Sequence, residues 1–106
     1  MHLYGLWRAE FEGLAQGATL LLERHPQWQG SLSGGINRNG LQGRISAEIE
    51  DGEFVLEESL DGEHIHANWE GRVVNGSCGR EIRGLWRDPN RMQAYPFTLR
   101  KLPGWN

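Results

Sequence analysis

Glu58, Trp69 and Trp86 are the residues of this chain whose types suit a binding site. A carboxylate can anchor a cationic or hydroxylated group, and indoles beside it can stack on an apolar or aromatic body or hold a cation over a ring. A second grouping is His64, His66 and Glu57. Histidines two apart on a strand project from one face, and with Glu57 beside them they supply three ligands for a divalent ion. On an exposed flat face such a trio lacks enclosure and supporting hydrogen bonds, so solvated surface histidines are the expectation and no metal is assigned. Cys78 needs a neighbouring base to act as a nucleophile and the pairing described next brings it none, so it reads as a small apolar residue. Asn75-Gly76-Ser77 has the form of a glycosylation acceptor and reads better as a hairpin turn. Ser33-Gly34-Gly35 lies within a strand, without the following helix that a phosphate site uses. No acid–base pair stands out, so the expectation is a non-enzymatic protein without a cofactor.

These side chains must be positioned by strands. Alternating apolar and polar residues recur along the chain, broken by Asn39-Gly40, Asp51-Gly52, Asp61-Gly62 and Asn75-Gly76. Such dipeptides favour type I′ hairpin turns, whose two central residues both need positive φ. Two-residue turns fix a register. Through Asn39-Gly40, Arg38 pairs with Leu41, Ile36 with Gly43, Gly34 with Ile45, Leu32 with Ala47 and Gly30 with Ile49. Asp51-Gly52 sets Ile49 against Phe54 and Ala47 against Leu56. Asp61-Gly62 sets Phe54 against Trp69 and Leu56 against Ala67. Asn75-Gly76 sets Trp69 against Ile82, Ala67 against Gly84, Ile65 against Trp86 and Val73 against Cys78. The four turns agree on one apolar inner face, which a wrong turn would have thrown outward by slipping the register one residue. The opposite face carries mostly polar rows, Arg44, Ser59, His64, Arg87 and Ser46, Glu57, His66, Leu85. Trp7, Trp28, Trp69 and Trp86 fall on the inner parity, as do Glu58 and Arg80.

Leu3 to Glu12, Ala18 to Arg24 and Met92 to Lys101 complete the meander, the last offering Tyr95, Phe97 and Leu99; the facing of Ala18 to Arg24 is ambiguous. No segment has the period of a helix of ordinary length, although one helical turn fits at Leu14 to Gln16. The expected fold is all-β, an eight-stranded antiparallel up-and-down barrel in a single domain over residues 1–106. Closure removes the exposed edges that an open meander would leave. A flattened two-sheet sandwich is the competing arrangement.

Composition narrows the function classes. With 106 residues, 38% hydrophobic, the chain suffices for one core. A net charge of −3 with interleaved signs argues against a nucleic-acid groove. No apolar run is long enough for a membrane-spanning helix, and the first residues enter strand-like alternation without a leader, so a membrane protein and a secreted precursor are both disfavoured. A single cysteine makes no internal disulfide and suits a reducing, cytoplasmic compartment.

Gly5-Leu6-Trp7 on the first strand, an up-and-down meander, and a basic residue on the last strand (Arg100 or Lys101) together resemble the calycin superfamily: lipocalins, fatty-acid-binding proteins, avidins and bacterial metalloproteinase inhibitors. Gly84-Leu85-Trp86-Arg87 repeats Gly5-Leu6-Trp7-Arg8 later in the chain. The resemblance implies that Trp7 plugs a closed end beneath a late cationic side chain, with Arg80 as a further cap there. It implies that the loops at Gly13 to Gly17, Asn39-Gly40, Asp61-Gly62 and Asp88 to Arg91 ring an open mouth. Ile45, Glu58, Ile65 and Trp86 are then the inward residues nearest that mouth, and with Trp69 and Tyr95 they form the expected ligand-binding set. Glu58 is either a polar anchor for the ligand or a rim residue that reaches water. The lumen is either a cavity for a small, mostly apolar or aromatic molecule or a filled core. In the second case the barrel is a protein-interaction module, an inhibitor or an oligomer subunit, using its loops or outer face.

Overall fold

The computed structural model describes residues 3–14, 16–27, 31–89 and 92–103. Eight strands follow one another: β1 (Gly5–Phe11), β2 (Ala18–Arg24), β3 (Ser31–Arg38), β4 (Leu41–Glu50), β5 (Glu53–Ser59), β6 (Ala67–Val73), β7 (Glu81–Asp88) and β8 (Gln93–Lys101). Each pairs antiparallel with the next, and β8 returns to β1 to close a barrel. The described residues form no helix, including at the helical turn expected near Leu14. Closure decides against the sandwich.

The turns explain where the expected register holds and where it moves. Asn39 and Gly40 have φ of 52° and 95°, Asp51 and Gly52 of 52° and 80°, so both residues of each dipeptide sit in the left-handed region that a type I′ turn requires. There the pairings are as expected: Gly34 with Ile45, Leu32 with Ala47, Ile49 with Phe54. The pairing expected of Gly30 and the inward position of Trp28 lie outside the described residues.

At the other two dipeptides only the glycine, Gly62 or Gly76, has positive φ, and the connections are wider. The Asp61 carboxylate accepts the backbone N–H groups of Glu63 and His64 at 2.8 Å and the Ser59 hydroxyl at 3.0 Å, organising a loop over 60–66. Phe54 therefore faces Gly71, Leu56 faces Trp69 and Glu58 faces Ala67, a shift of two residues from the expected pairing. The loop over 74–80 turns through Cys78 and Gly79, both with positive φ, while the Ser77 hydroxyl donates to the Val74 carbonyl at 2.7 Å. Trp69 therefore faces Trp86 instead of Ile82, and Gly71 faces Gly84, a shift of four. Both shifts are even, so the strand residues of the inner face keep their facing although their partners change. Three residues expected on that face, Cys78, Arg80 and Ile65, lie instead in loops with exposed side chains.

The interior is filled at one end. Trp7 is buried and donates its indole N–H to the Leu3 carbonyl at 2.8 Å, and Lys101 lies opposite it in the β1–β8 register. With it in the core pack Leu20, Leu22, Phe54, Leu56, Ile82 and Leu99, and β2 faces inward through Ala18, Leu20 and Leu22. The Gly71–Gly84 pair admits the Phe97 ring: a Cβ on Gly71 would stand 3.0 Å from Phe97 Cζ and 2.5 Å from the Arg83 carbonyl oxygen. Phe97 in turn meets Trp69 edge-on, ring centres 4.9 Å apart.

Candidate functional site

Toward the other end the apolar packing gives way to a buried ion pair. On β5, Phe54, Leu56 and Glu58 point inward between exposed Val55 and Glu57, and Glu58 is 0% exposed. A carboxylate there must find partners for its lone pairs or give up its charge. Arg38 binds it bidentately, Nε–H to Oε2 and Nη2–H to Oε1, both at 2.8 Å. Trp69 and Trp86 donate their indole N–H groups to Oε1 at 2.9 and 3.2 Å. His66 Nε2 stands 3.3 Å from Oε2. Burial pushes the Glu58 carboxyl up, but the Arg38 hydrogen bonds and charge, with the two indole donors, outweigh it and hold the group below the ordinary carboxylate range. Glu58 is therefore ionised at neutral pH.

Arg38 ends β3 and follows the parity of Leu32 and Ile36, so its side chain enters the barrel just before the Asn39-Gly40 turn. Its Cζ lies 4.9 Å from the Trp86 ring centre, 5.2 Å from Phe11 and 5.9 Å from Trp69. The aromatic cage expected for a ligand cation is thus occupied by the protein's own guanidinium. Phe11 meets Trp69 and Trp86 at 5.3 and 5.6 Å, tying the cage together.

The residues expected to bind ligand divide into three groups. Glu58, Trp69 and Trp86 come together, as parts of the ion-pair cluster. Ile45 is buried opposite Glu58 on β4, and Tyr95 is half-buried opposite Trp86, with its hydroxyl bonded to Gln93. Ile65 does not join them: the wide 60–66 loop leaves it 49% exposed. At the closed end Trp7 fills the barrel, while Arg80 sits in the 74–80 loop with its side chain in solvent and caps nothing inside. The histidine grouping is also taken apart. His64 pairs with Asp61 at 2.7 Å, His66 turns to Glu58, and Glu57 stays on the outer face opposite Asn68. Among the described residues no three His, Cys, Asp or Glu side chains are placed to share a metal ion.

One member of the cluster escapes the turn-based reading and one was misplaced by it. Arg38 carried a usable signal, since it lies two residues beyond inward-facing Ile36. His66 was expected on the outer face beside Glu57 and is instead half-buried against Glu58: it lies in the loop before β6, where strand parity does not operate, and is placed by its backbone N–H bond to the Glu58 carbonyl at 2.9 Å.

Above the cluster a cavity of about 460 Å³ opens, lined by Leu14, Gln16, Gly17, Arg38, His66, Trp86 and Asp88. These residues come from the β1–β2 loop, the end of β3, the 60–66 loop and the end of β7, which makes this the mouth of the barrel. Arg38 and His66 belong to its wall and Glu58 does not. His66 Nδ1 is buried and meets no hydrogen-bond partner among the described residues. No protein-family model matches the chain, and none of the curated proteins matches it.

Proposed function

We propose that the protein is a non-enzymatic binding protein that takes one small, mostly apolar or aromatic ligand at the mouth of the barrel. The observation that carries this reading is the cavity of about 460 Å³ whose wall combines Leu14 and Trp86 with the polar groups of Arg38 and His66. Small-molecule sites are usually concave, apolar and pointed with few polar groups, at volumes of about 300–1,000 Å³. Glu58 supports the site from beneath: both its oxygens are engaged by the protein, so it orients Arg38 and does not meet the ligand. The same saturation speaks against Glu58 as an acid or base in a reaction. Membership of the calycin barrels is part of this proposal, supported by the closed up-and-down order and by Trp7 at the filled end opposite Lys101. A cytoplasmic location is proposed with it, on the single cysteine.

Tryptophan fluorescence during titration with apolar dyes, fatty acids, retinoids and aromatic amines tests the reading. A saturable change at one ligand per chain, largely lost in Trp86→Phe, supports it. No response across the panel refutes it. The interaction-module reading has its own observation, an apolar hollow of about 630 Å³ on the outside of β1 and β2, where Tyr4 and Leu21 are exposed. Mass that rises with protein concentration, and falls in Leu21→Asp, would favour that reading.

A further inference from the structure

The mouth-binding reading, on which this inference rests, can be carried to a class of ligand through the hydrogen bonds that Arg38 has left. A guanidinium presents five N–H donors in one plane. The Nε–H and one Nη2–H of Arg38 go to Glu58, and among the described residues its hydrogen bonds go nowhere else. That leaves three N–H groups, one on each Nη along the adjoining edge and a second on Nη1. The rings of Trp86, Phe11 and Trp69 surround the guanidinium, with centres 4.9–5.9 Å from Cζ, and the side chain, 20% exposed, lines the cavity. A ligand is therefore offered unused donors beside aromatic surface.

Charge then decides what suits that edge. Glu58, fully buried and in contact with the guanidinium, cancels the positive charge of Arg38. An entering carboxylate would lose its hydration and meet no net positive charge in return, with the Glu58 charge across the guanidinium. A carbonyl or amide oxygen accepts the same N–H groups without bringing a charge out of water. His66, also in the wall, is turned to Glu58, its Nε2 3.3 Å from Oε2.

We infer that the mouth selects uncharged, apolar or aromatic molecules bearing a carbonyl or amide oxygen, which the outer edge of Arg38 binds, and discriminates against carboxylates of the same shape.

Calorimetric titration of the full chain at pH 7 with 1-naphthaleneacetamide and 1-naphthaleneacetate tests this. The expected result is that the amide binds at least tenfold more tightly than the acetate. In Glu58→Gln, which leaves Arg38 uncompensated, the acetate should gain at least tenfold relative to the amide. Acetate binding as tight as the amide in the wild type overturns the inference while the mouth-binding reading stands. No heat from either, together with no response in the fluorescence panel, overturns both. Should Glu58→Gln fail to fold, Arg38→Lys keeps a cation beside Glu58 but removes the planar edge. Amide binding should then fall at least tenfold, and unchanged affinity refutes the role given to Arg38.

Discussion

Replacing Arg38 by methionine should reverse the way stability depends on acid. In the wild type the folded-state Glu58 carboxyl titrates below its ordinary range, so its contribution is complete above that range and is lost as pH falls through the folded value. Arg38→Met keeps a side chain of similar reach among Phe11, Trp69 and Trp86 but removes the cation and two of the hydrogen bonds. Burial, already the largest influence on Glu58, is then opposed chiefly by two indole donors, and the carboxyl moves above its ordinary range. Leaving one member of a buried pair alone costs about 3–5 kcal/mol. Because Glu58 can take a proton instead, that cost appears only as pH rises, at about 1.4 kcal/mol per unit. The full loss is then spread over roughly two to four pH units above the ordinary carboxylate range. The Arg38 side chain is 20% exposed, so solvent screening reduces the effect little. Urea unfolding of both proteins from pH 4.5 to 8 reads the result directly. The variant should approach the wild type at the acid end and diverge steadily toward neutrality. Parallel pH profiles, or a loss below about 1 kcal/mol at pH 7, would refute the assignment of an ionised, Arg38-dependent Glu58.

Three further expectations follow from the packing. Trp69→Phe keeps an aromatic ring but deletes the N–H held by Glu58 at 2.9 Å and part of the buried indole, and should lower unfolding free energy in urea by at least about 1.5–3 kcal/mol, the worth of a hydrogen bond to a charged group. Asn39→Ala places alanine at a φ of 52° and should cost about 1 kcal/mol, whereas Asn75→Ala, outside the left-handed region, should stay within about 0.5 kcal/mol; equal costs would contradict the turn assignments. Gly71→Ala drives a methyl against the Arg83 carbonyl and Phe97, and thermal melts should show a loss of about 1–3 kcal/mol; a neutral result would mean that β6 and β7 do not approach as closely as described.

Facing was legible in the sequence, and pairing was legible only where the turn chemistry was complete. Asn39-Gly40 and Asp51-Gly52 meet the full requirement of a type I′ turn and place their strands correctly. Asp61-Gly62 has the same composition, but its carboxylate is drawn into a wider loop by the N–H groups of Glu63 and His64, an outcome that depends on residues beyond the dipeptide. Glu58 was visible as an inward carboxylate because parity survives an even shift. Its fate was not, because Arg38 joins β5 from a non-adjacent strand, at a distance that hairpin pairing does not describe. His66 was beyond reach for the reason already given for its loop.

The ion-pair cluster also bears on how the barrel comes to close. Phe11, Arg38, Glu58, Trp69 and Trp86 belong to β1, β3, β5, β6 and β7, so no single hairpin can assemble it. A sheet that has paired but not yet curled holds Glu58 without its counter-ion, and contacts so distant along the chain form late. The cluster then acts as a check on completion, rewarding only the closed ring. If so, Arg38→Met should speed unfolding while leaving the refolding rate nearly unchanged, which places the electrostatic investment of this barrel in its persistence and not in its assembly.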